Sequence, residues 1–229
     1  MEVTIWSDVM CPFCYIGKKN FEKALENLPF KDDVTVNWKS FQLDPTLEDI
    51  SGNYTTKQYL MDKRGLAEAQ IDQMQSRIAE MGKQVGIDFT KTSPIAANTL
   101  KAHQLLHLSK KYGKQNDAEE LLFKAHFEEG VNIADKNVLI KIGNELGIAT
   151  QEIEHALQSE EIAYEVKQDI LEAQGIGVTG VPFFILNNKY AVNGAQPVEN
   201  FIEALTQTYK ETVTDLENQG MSCSIDGCE

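Results

Sequence analysis

The spacing of apolar residues changes period twice in the N-terminal part of the chain. Residues 3–7 form a short β-branched and aromatic run, which predicts a strand. Apolar side chains then recur at helical spacing as far as Pro29, and Pro12 suits the first helical turn because its missing N–H is not needed there. Apolar and polar positions alternate again over residues 34–39, in a run that continues towards Leu43. The predicted order is strand, helix, strand.

The middle of the chain is predicted to be helical. From about Lys57 to Gly175 the apolar positions follow helical periods, and no convincing strand pattern interrupts them. Glycines and the Ser93-Pro94 pair divide this stretch into about five or six expected helices.

The C-terminal part returns to strands before a last helix. Two short apolar runs, residues 183–186 and 190–192, flank Asn187-Asn188-Lys189, which is a hairpin signal. A final helix carries apolar side chains on one face between residues 201 and 209. Without the helical block, the order is strand, helix, strand, helix, hairpin and helix, which is the order of the thioredoxin fold.

The predicted fold class is therefore α/β, a thioredoxin-like fold with a large all-helical insertion. Residues 1–55 and 176–213 are expected to form the thioredoxin-like domain, together with a helix over residues 159–175. Residues 56–158 are expected to form the insertion. The polar residues 214–229 are predicted to be a flexible C-terminal tail.

Composition narrows the classes of partner and compartment. The 229 residues include 21 basic and 35 acidic side chains, a formal net charge of −14, which argues against nucleic acid or an anionic membrane as partner. No apolar run reaches the roughly 18 residues needed to span a bilayer. Residues 1–6 lack the basic leader and apolar stretch of a secretory signal, so a cytoplasmic enzyme is expected. The oligomeric state stays open.

Four cysteines fall in two close pairs, Cys11 with Cys14 and Cys223 with Cys228. In a reducing compartment such pairs indicate redox or metal chemistry rather than structural cross-links. The spacing of the first pair also begins many zinc sites. The strand before this pair and the helix after it favour redox chemistry.

Position on the helix predicts a role for each residue of the first pair. A thiol attacks as the thiolate, and a helix N-terminus favours a negative sulfur on Cys11 through its free N–H groups and its dipole. Cys11 is therefore the predicted nucleophile. Cys14 lies one turn further in, on the apolar stripe, and is predicted to resolve a mixed disulfide on Cys11. Pro12 stiffens the active-site loop, and Phe13 adds no charge, so we expect a pair less oxidising than one with a histidine in that loop.

A second signal lies in residues 177–182, where glycines precede a proline at the start of a strand. Pro182 suits a tight turn in which a cis peptide is selected and a backbone edge stays open. Such an edge pairs with an extended substrate segment beside Cys11. A rigid loop with an ordinary trans proline is the alternative.

These motifs together resemble the DsbA superfamily, and most of all its leaderless FrnE-like branch. The resemblance covers residues 2 to about 210 and rests on the long helical insertion and on two motifs, Cys11-Pro12-Phe13-Cys14 and Gly180-Val181-Pro182-Phe183-Phe184. Ser7-Asp8, residues 41–45 and Ala125-His126-Phe127 also resemble the FrnE-like branch. The resemblance implies dithiol–disulfide exchange and leaves open whether the enzyme oxidises, reduces or isomerises its substrate. It also implies that Pro182 is a cis-proline facing the cysteines, and that the backbone of Val181 meets the substrate.

The same resemblance suggests partners and a role for the second cysteine pair. Protein or small-molecule thiols and disulfides, glutathione among them, are the expected partners. Some FrnE-like proteins have a similar tail pair, so Cys223 and Cys228 are a candidate second redox pair, with a local disulfide or two idle thiols as the alternative. No glycine-rich phosphate loop follows a strand, so no cofactor is expected.

Two other classes of function stay open. Relatives with this insertion include glutathione-dependent isomerases and transferases, which typically lack the second cysteine of the pair, whereas Cys14 is present here. A zinc-binding interaction protein would use all four cysteines as ligands.

Three polar residues near the predicted site have competing interpretations. His103 and His107 stand four apart on a predicted helix, a spacing for two metal ligands, but no third ligand is evident, and packed or solvated histidines are favoured. No metal site is therefore predicted. For Asp8, capping of the loop is favoured over accepting a proton from Cys14.

Overall fold

The computed structural model describes residues 1–48 and 54–221 and arranges them as a four-stranded sheet with helices around it. The strands are β1 (Glu2–Ser7), β2 (Thr35–Ser40), β3 (Phe183–Leu186) and β4 (Tyr190–Asn193). The helices are α1 (Pro12–Glu26), α2 (Thr56–Arg64), α3 (Glu68–Gln84), α4 (Leu100–Lys111), α5 (Gln115–Phe127), α6 (Lys136–Glu145), α7 (Thr150–Ala156), α8 (Glu160–Gly175) and α9 (Val198–Met221). No helix in these two ranges combines the length and apolarity needed to cross a membrane.

The sheet has the strand order β2-β1-β3-β4. Strand β1 is parallel to β2 and antiparallel to β3, so Ile5 lies between Trp38 and Phe184. A parallel pair needs a crossover connection, and α1 supplies it between β1 and β2. The predicted α/β thioredoxin-like fold with added helices is confirmed.

The predicted hairpin joins β3 to β4. Leu186 pairs with Tyr190, so three residues form the connection, and two of them, Asn187 and Asn188, adopt left-handed φ values of 51° and 55°. Asparagine enters this region more readily than most residues. The local sequence therefore accounts for the turn.

Two apolar cores share helix α1. Phe21 of α1 packs with Phe184 of the sheet and Phe201 of α9 in the sheet core. The first turns of the same helix, including Cys14 and Tyr15, belong to the larger core of the helical insertion. The cysteine pair therefore lies where the two cores meet.

One strand boundary and the number of helices in the middle of the chain differ from the prediction. Strand β2 ends at Ser40 instead of continuing to Leu43, because the Leu43 N–H donates to the buried Asp8 carboxylate at 2.7 Å rather than to a neighbouring strand. The stretch from Thr56 to Gly175 contains seven helices instead of five or six. Helix α7 has only 7 residues, too few for an apolar period to separate it from its neighbours.

The last helix is longer than predicted. Helix α9 continues to Met221, so residues 214–221, assigned from sequence to a flexible tail, are helical. The hydroxyls of Thr208, Thr212 and Thr214 donate to carbonyl oxygens four residues earlier. These bonds satisfy polar side chains inside a helix, so a polar composition there does not end it.

Candidate active site

Helix α1 begins at the first cysteine. Cys11 is the N-cap residue with an extended backbone, and Pro12 occupies the first turn. The Cys11 N–H donates to the Asp8 carbonyl at 2.9 Å, so the loop from β1 turns directly into the helix. No acidic side chain lies in that first turn to compete with the Cys11 sulfur for the positive end of the helix dipole.

The structure brings together the four residues expected at the site centre. Cys11 and Cys14 are free thiols that lie close together, and 4% and 1% of their surfaces are exposed. The Cys11 thiol donates to the carbonyl oxygen of Val181 at 3.5 Å. The Val181–Pro182 peptide bond is cis, which decides between the two isomers left open by the sequence.

Cys14 is the more deeply buried thiol. Burial raises its pKa well above the usual value, and the adjacent Cys11 sulfur raises it further. The backbone N–H of Asp8 acts in the opposite direction and lowers the pKa of Cys14, since a donor facing a thiolate stabilises it. Because only the thiolate attacks a disulfide, Cys14 needs a proton acceptor when it reacts.

Gly17 allows the proline loop to approach α1. A Cβ atom at this position would lie 2.9 Å from Cγ of Pro182 and 3.6 Å from the ring of Phe184. The backbone of α1 therefore packs directly against the loop that faces Cys11. Gly17 had no role in the prediction from sequence. A glycine inside a helical pattern was the signal that could have indicated close packing there.

A cleft of about 920 Å³ opens beside Cys11. It lies between the active-site loop and the insertion, with apolar walls that include Ile78, Phe89 and Phe127. Phe13, which is 37% exposed, borders this cleft and a second one of about 390 Å³ along α3. Phe13 therefore stands at the edge of two surfaces that are open to a partner.

The charged side chains around the larger cleft carry both signs. Lys57 pairs with Asp72 at 2.7 Å and with Glu68 at 2.8 Å. Arg64 lies 3.8 Å from Asp44. In these pairs positive and negative charges offset each other, so the cleft does not carry a strong net charge there. Its walls would contact a partner mainly through apolar side chains.

Asp8 stabilises the loop between β1 and α1 through hydrogen bonds. Its fully buried carboxylate accepts the Leu43 N–H at Oδ2 and the Met10 N–H, at 3.3 Å, at Oδ1. The same Oδ1 lies 3.6 Å from Nε2 of His103. The backbone contacts agree with the expected loop-capping role.

His103 and His107 face different surroundings although they share α4. His103 is fully buried next to Asp8, whereas His107 lies between Glu165 at 3.2 Å and Asp169 at 3.1 Å. Across residues 1–48 and 54–221, no cluster of three or more His, Cys, Asp or Glu side chains is arranged to hold a metal ion.

Cys223 and Cys228 lie outside the described residues. The second redox pair and the four-cysteine zinc site both depend on them. Both therefore stay predictions.

Three buried ionisable residues had no role assigned from the sequence, one on α1 and two on α5. Lys18 and Glu119 are each 1% exposed, and His126 is fully buried. Lys18 pairs with Glu22 at 2.6 Å and with Glu120 at 2.8 Å. In sequence, Glu119 resembles its partly exposed neighbour Glu120, so no local signal separated the two.

Comparison with known proteins places these features in a family. Residues 2–206 match the DSBA-like thioredoxin domain family. A Bacillus subtilis protein, the uncharacterized YwbO, is 28% identical over 218 residues, which cover 92% of this chain and 98% of YwbO.

Solved structures share the fold. The crystal structure of a probable DsbA oxidoreductase from Streptomyces coelicolor is 34% identical, with a TM-score of 0.86 over 92% of this chain and 91% of that one. The cytosolic disulfide reductase DsbM from Pseudomonas aeruginosa, solved with GSH, has a TM-score of 0.61 at 18% identity, covering 95% and 100% of the two chains. At that identity the likeness to DsbM shows the fold alone.

Proposed function

The chain belongs to the DSBA-like thioredoxin domain family, and we propose that it is a thiol–disulfide oxidoreductase in which Cys11 attacks and Cys14 resolves. The observation that carries the proposal is the proximity of two free thiols at the start of α1, with the Cys11 sulfur beside an open cleft. Pro12 and Phe13 form the active-site loop between them.

The proposed reaction has two exchange steps. The Cys11 thiolate attacks one sulfur of a substrate disulfide, forming a mixed disulfide and releasing the other substrate sulfur as a thiolate that takes a proton. The Cys14 thiolate then attacks the Cys11 sulfur, forming the Cys11–Cys14 disulfide and releasing the second substrate thiol. The reverse sequence oxidises a dithiol. Isomerisation follows if a different thiol of the same substrate attacks the substrate sulfur of the mixed disulfide before Cys14 reacts, which forms a new substrate disulfide and releases the Cys11 thiolate.

The substrate is proposed to enter along the cleft. Val181 and Pro182 present backbone beside Cys11, where an extended segment has room to pair with it. The cleft of about 920 Å³ fits protein segments as well as small thiols and disulfides such as glutathione. By analogy with the cytosolic DsbM, a cytoplasmic setting is proposed.

The test is an equilibration of the protein with mixtures of reduced and oxidised glutathione. A Cys223→Ser/Cys228→Ser background isolates the first pair. We expect Cys11 and Cys14 to form an internal disulfide, which thiol trapping and mass measurement detect. A Cys14→Ser variant is expected to keep one glutathione on Cys11. Failure of the parent pair to oxidise at any ratio contradicts the proposal, and the measured potential gives the direction of electron flow.

Cys223 and Cys228 are proposed to exchange with the first pair as a second dithiol. Turnover of the Cys223→Ser/Cys228→Ser variant, and the redox state of its Cys11, should then differ from those of the wild type. Unchanged values of both quantities remove this relay.

A further inference from the structure

The second cleft runs along α3 beside the active-site loop. Its volume is about 390 Å³, and Phe13, two residues after Cys11, forms one of its walls. The remaining walls come from side chains that recur every three or four positions and so share one face of α3, namely Gln70, Gln73, Met74, Arg77 and Met81. Phe13 and Met74 also border the larger cleft, so the two clefts adjoin at the active-site loop.

The side chains of this second cleft combine two kinds of chemistry. Phe13 is exposed, and Met74 and Met81 are half-buried. A ring beside two flexible thioether side chains adapts to apolar side chains of different shapes. Gln73 and Arg77 are both exposed, and four residues separate them, so an amide and a guanidinium stand on adjacent turns of α3. The cleft therefore suits a partner that is apolar next to an acceptor of hydrogen bonds.

Arg77 differs from the other cationic side chains around the two clefts. Lys57 pairs with carboxylates at 2.7 and 2.8 Å, and Arg64 lies 3.8 Å from another. Lys83 interacts with the Asp88 carboxylate. Within residues 1–48 and 54–221, Arg77 has neither a hydrogen bond nor an ion pair. Because a guanidinium binds a carboxylate through two parallel N–H groups, Arg77 is open to a carboxylate that a partner supplies.

The charge of the whole chain acts against acidic partners. Its formal net charge of −14 repels them at long range. Binding of a carboxylate at Arg77 is a local effect of the opposite sign. A preference for an acidic residue at one position of a substrate is therefore distinguishable from the general electrostatic field.

A polypeptide has the length to occupy both clefts. A substrate sulfur bonded to Cys11 lies close to Phe13, where the clefts adjoin. Chain on one side of that sulfur has room in the larger cleft, and chain on the other side crosses Phe13 towards Arg77. Residues 74–81 span about 10 Å of α3, which an extended segment covers in about three residues. A small disulfide fills only one of the clefts.

We propose that the substrates are polypeptides that carry an acidic side chain about two to four positions from the reactive cysteine, and that Arg77 binds this carboxylate. Phe13, Met74 and Met81 contact the side chains in between. The inference rests on the proposed function and leaves the exchange steps at Cys11 and Cys14 unchanged. Arg77 sets specificity by binding the substrate away from the reacting sulfur.

The test uses short peptides of identical composition, each with a central cysteine and a single glutamate whose position is varied on both sides of it. Each peptide is supplied as its symmetric disulfide, so attack on either sulfur gives the same products. The parent protein is the reduced chain in the Cys223→Ser/Cys228→Ser background. It converts one peptide disulfide into two peptide thiols while Cys11 and Cys14 form their disulfide, and quenched samples give the rate constant for each peptide.

We expect one glutamate position to react about fivefold faster than the others, the upper range for an exposed ion pair, and added salt to weaken this preference. Arg77→Gln should reduce the preference to less than about twofold. Arg77→Glu should transfer it to peptides with lysine at that position. Lys63→Gln is the matched control, because it removes the same charge from an exposed residue of α2 that lines neither cleft. It should keep the preference of the parent.

Equal rates for all glutamate positions, or the same position profile in the parent and in Arg77→Gln, overturn the inference. A parent that reduces oxidised glutathione but no peptide disulfide also overturns it. The same holds if Arg77→Gln slows the reduction of oxidised glutathione and leaves the peptide profile unchanged, since Arg77 would then serve small disulfides. A parent whose cysteine pair reacts with no disulfide at all, glutathione included, contradicts the proposed function instead.

Discussion

Cys11 and Cys14 stand one helical turn apart, yet the two sides of the pair differ in kind. Around Cys11 the structure offers an apolar cleft, an accessible Phe13 and the backbone of Val181. Around Cys14 it offers a closed core, where burial raises the pKa of the thiol. The open side suits binding and attack on a partner, and the closed side suits control of a proton. One helix start separates the two tasks because Cys14 lies on the same face as Cys11 but one turn further into the helix, where the core covers it.

The largest expected effect comes from removing each sulfur in turn. In the Cys223→Ser/Cys228→Ser background, Cys11→Ala is expected to abolish exchange, because the remaining thiol, Cys14, is buried and mostly protonated. Cys14→Ala should still attack a disulfide but stop at the mixed disulfide on Cys11. Mass measurement after mixing with oxidised glutathione distinguishes the two variants. A stable glutathione adduct on Cys14 of the Cys11→Ala variant contradicts the division of roles.

The second prediction concerns the buried core and the pH dependence of the free energy of unfolding. Burial raises the pKa of Glu119 to about 8 in the folded protein, so wild-type stability falls as pH rises from about 4.5 to about 8 and then levels off. Glu119→Gln removes this dependence. We expect its stability relative to wild type to increase over that range by a few kcal/mol, at most about 5.

Denaturant unfolding at pH 5 and pH 9 measures the change. Glu120→Gln, next in the chain and partly exposed, is the control with the same chemical substitution. A pH-independent difference between Glu119→Gln and wild type contradicts the buried, protonated state of Glu119.

The third prediction, a smaller effect, concerns the packing of the proline loop against α1. Gly17→Ala places a Cβ atom 2.9 Å from Cγ of Pro182, so the proline loop must move away from α1. We expect a loss of about 1–3 kcal/mol in unfolding free energy and a slower attack by Cys11. Gly175→Ala, at the end of α8, meets nothing within 4 Å and should be neutral or slightly stabilising. Equal stability and equal attack rates for the two variants contradict the expected displacement of the proline loop by a Cβ atom at position 17.

The smallest effect concerns Phe13. Phe13→His introduces a donor and a partial positive charge beside the Cys11 thiolate, which favours the reduced form of the pair. The reduction potential should rise by on the order of 30 mV, equivalent to about 1.4 kcal/mol. Equilibration with glutathione measures the shift. A Phe13→Leu variant controls for loss of the ring, and an unchanged or lower potential for Phe13→His contradicts the expectation.

Local patterns in the sequence determined the strand, helix and hairpin order around the cysteines. Alternating and helical periods located β1, α1 and β2, and Asn187-Asn188 located the turn. Pro12 marked the helix start because its fixed backbone suits that position. These features depend on residues close together in the chain, so a single sequence is enough to identify them.

Tertiary structure alone decided which distant residues meet the pair. Gly17 touches Pro182, and Asp8 faces His103, across long separations in sequence. Glu119 and Glu120 are chemically identical neighbours, yet packing of α5 buries the first and leaves the second partly exposed. Burial depends on how whole helices pack, and desolvation then sets the chemistry of each group. For that reason the cysteine pair could be singled out from the sequence, and only the packed fold revealed which ionisable side chains are buried.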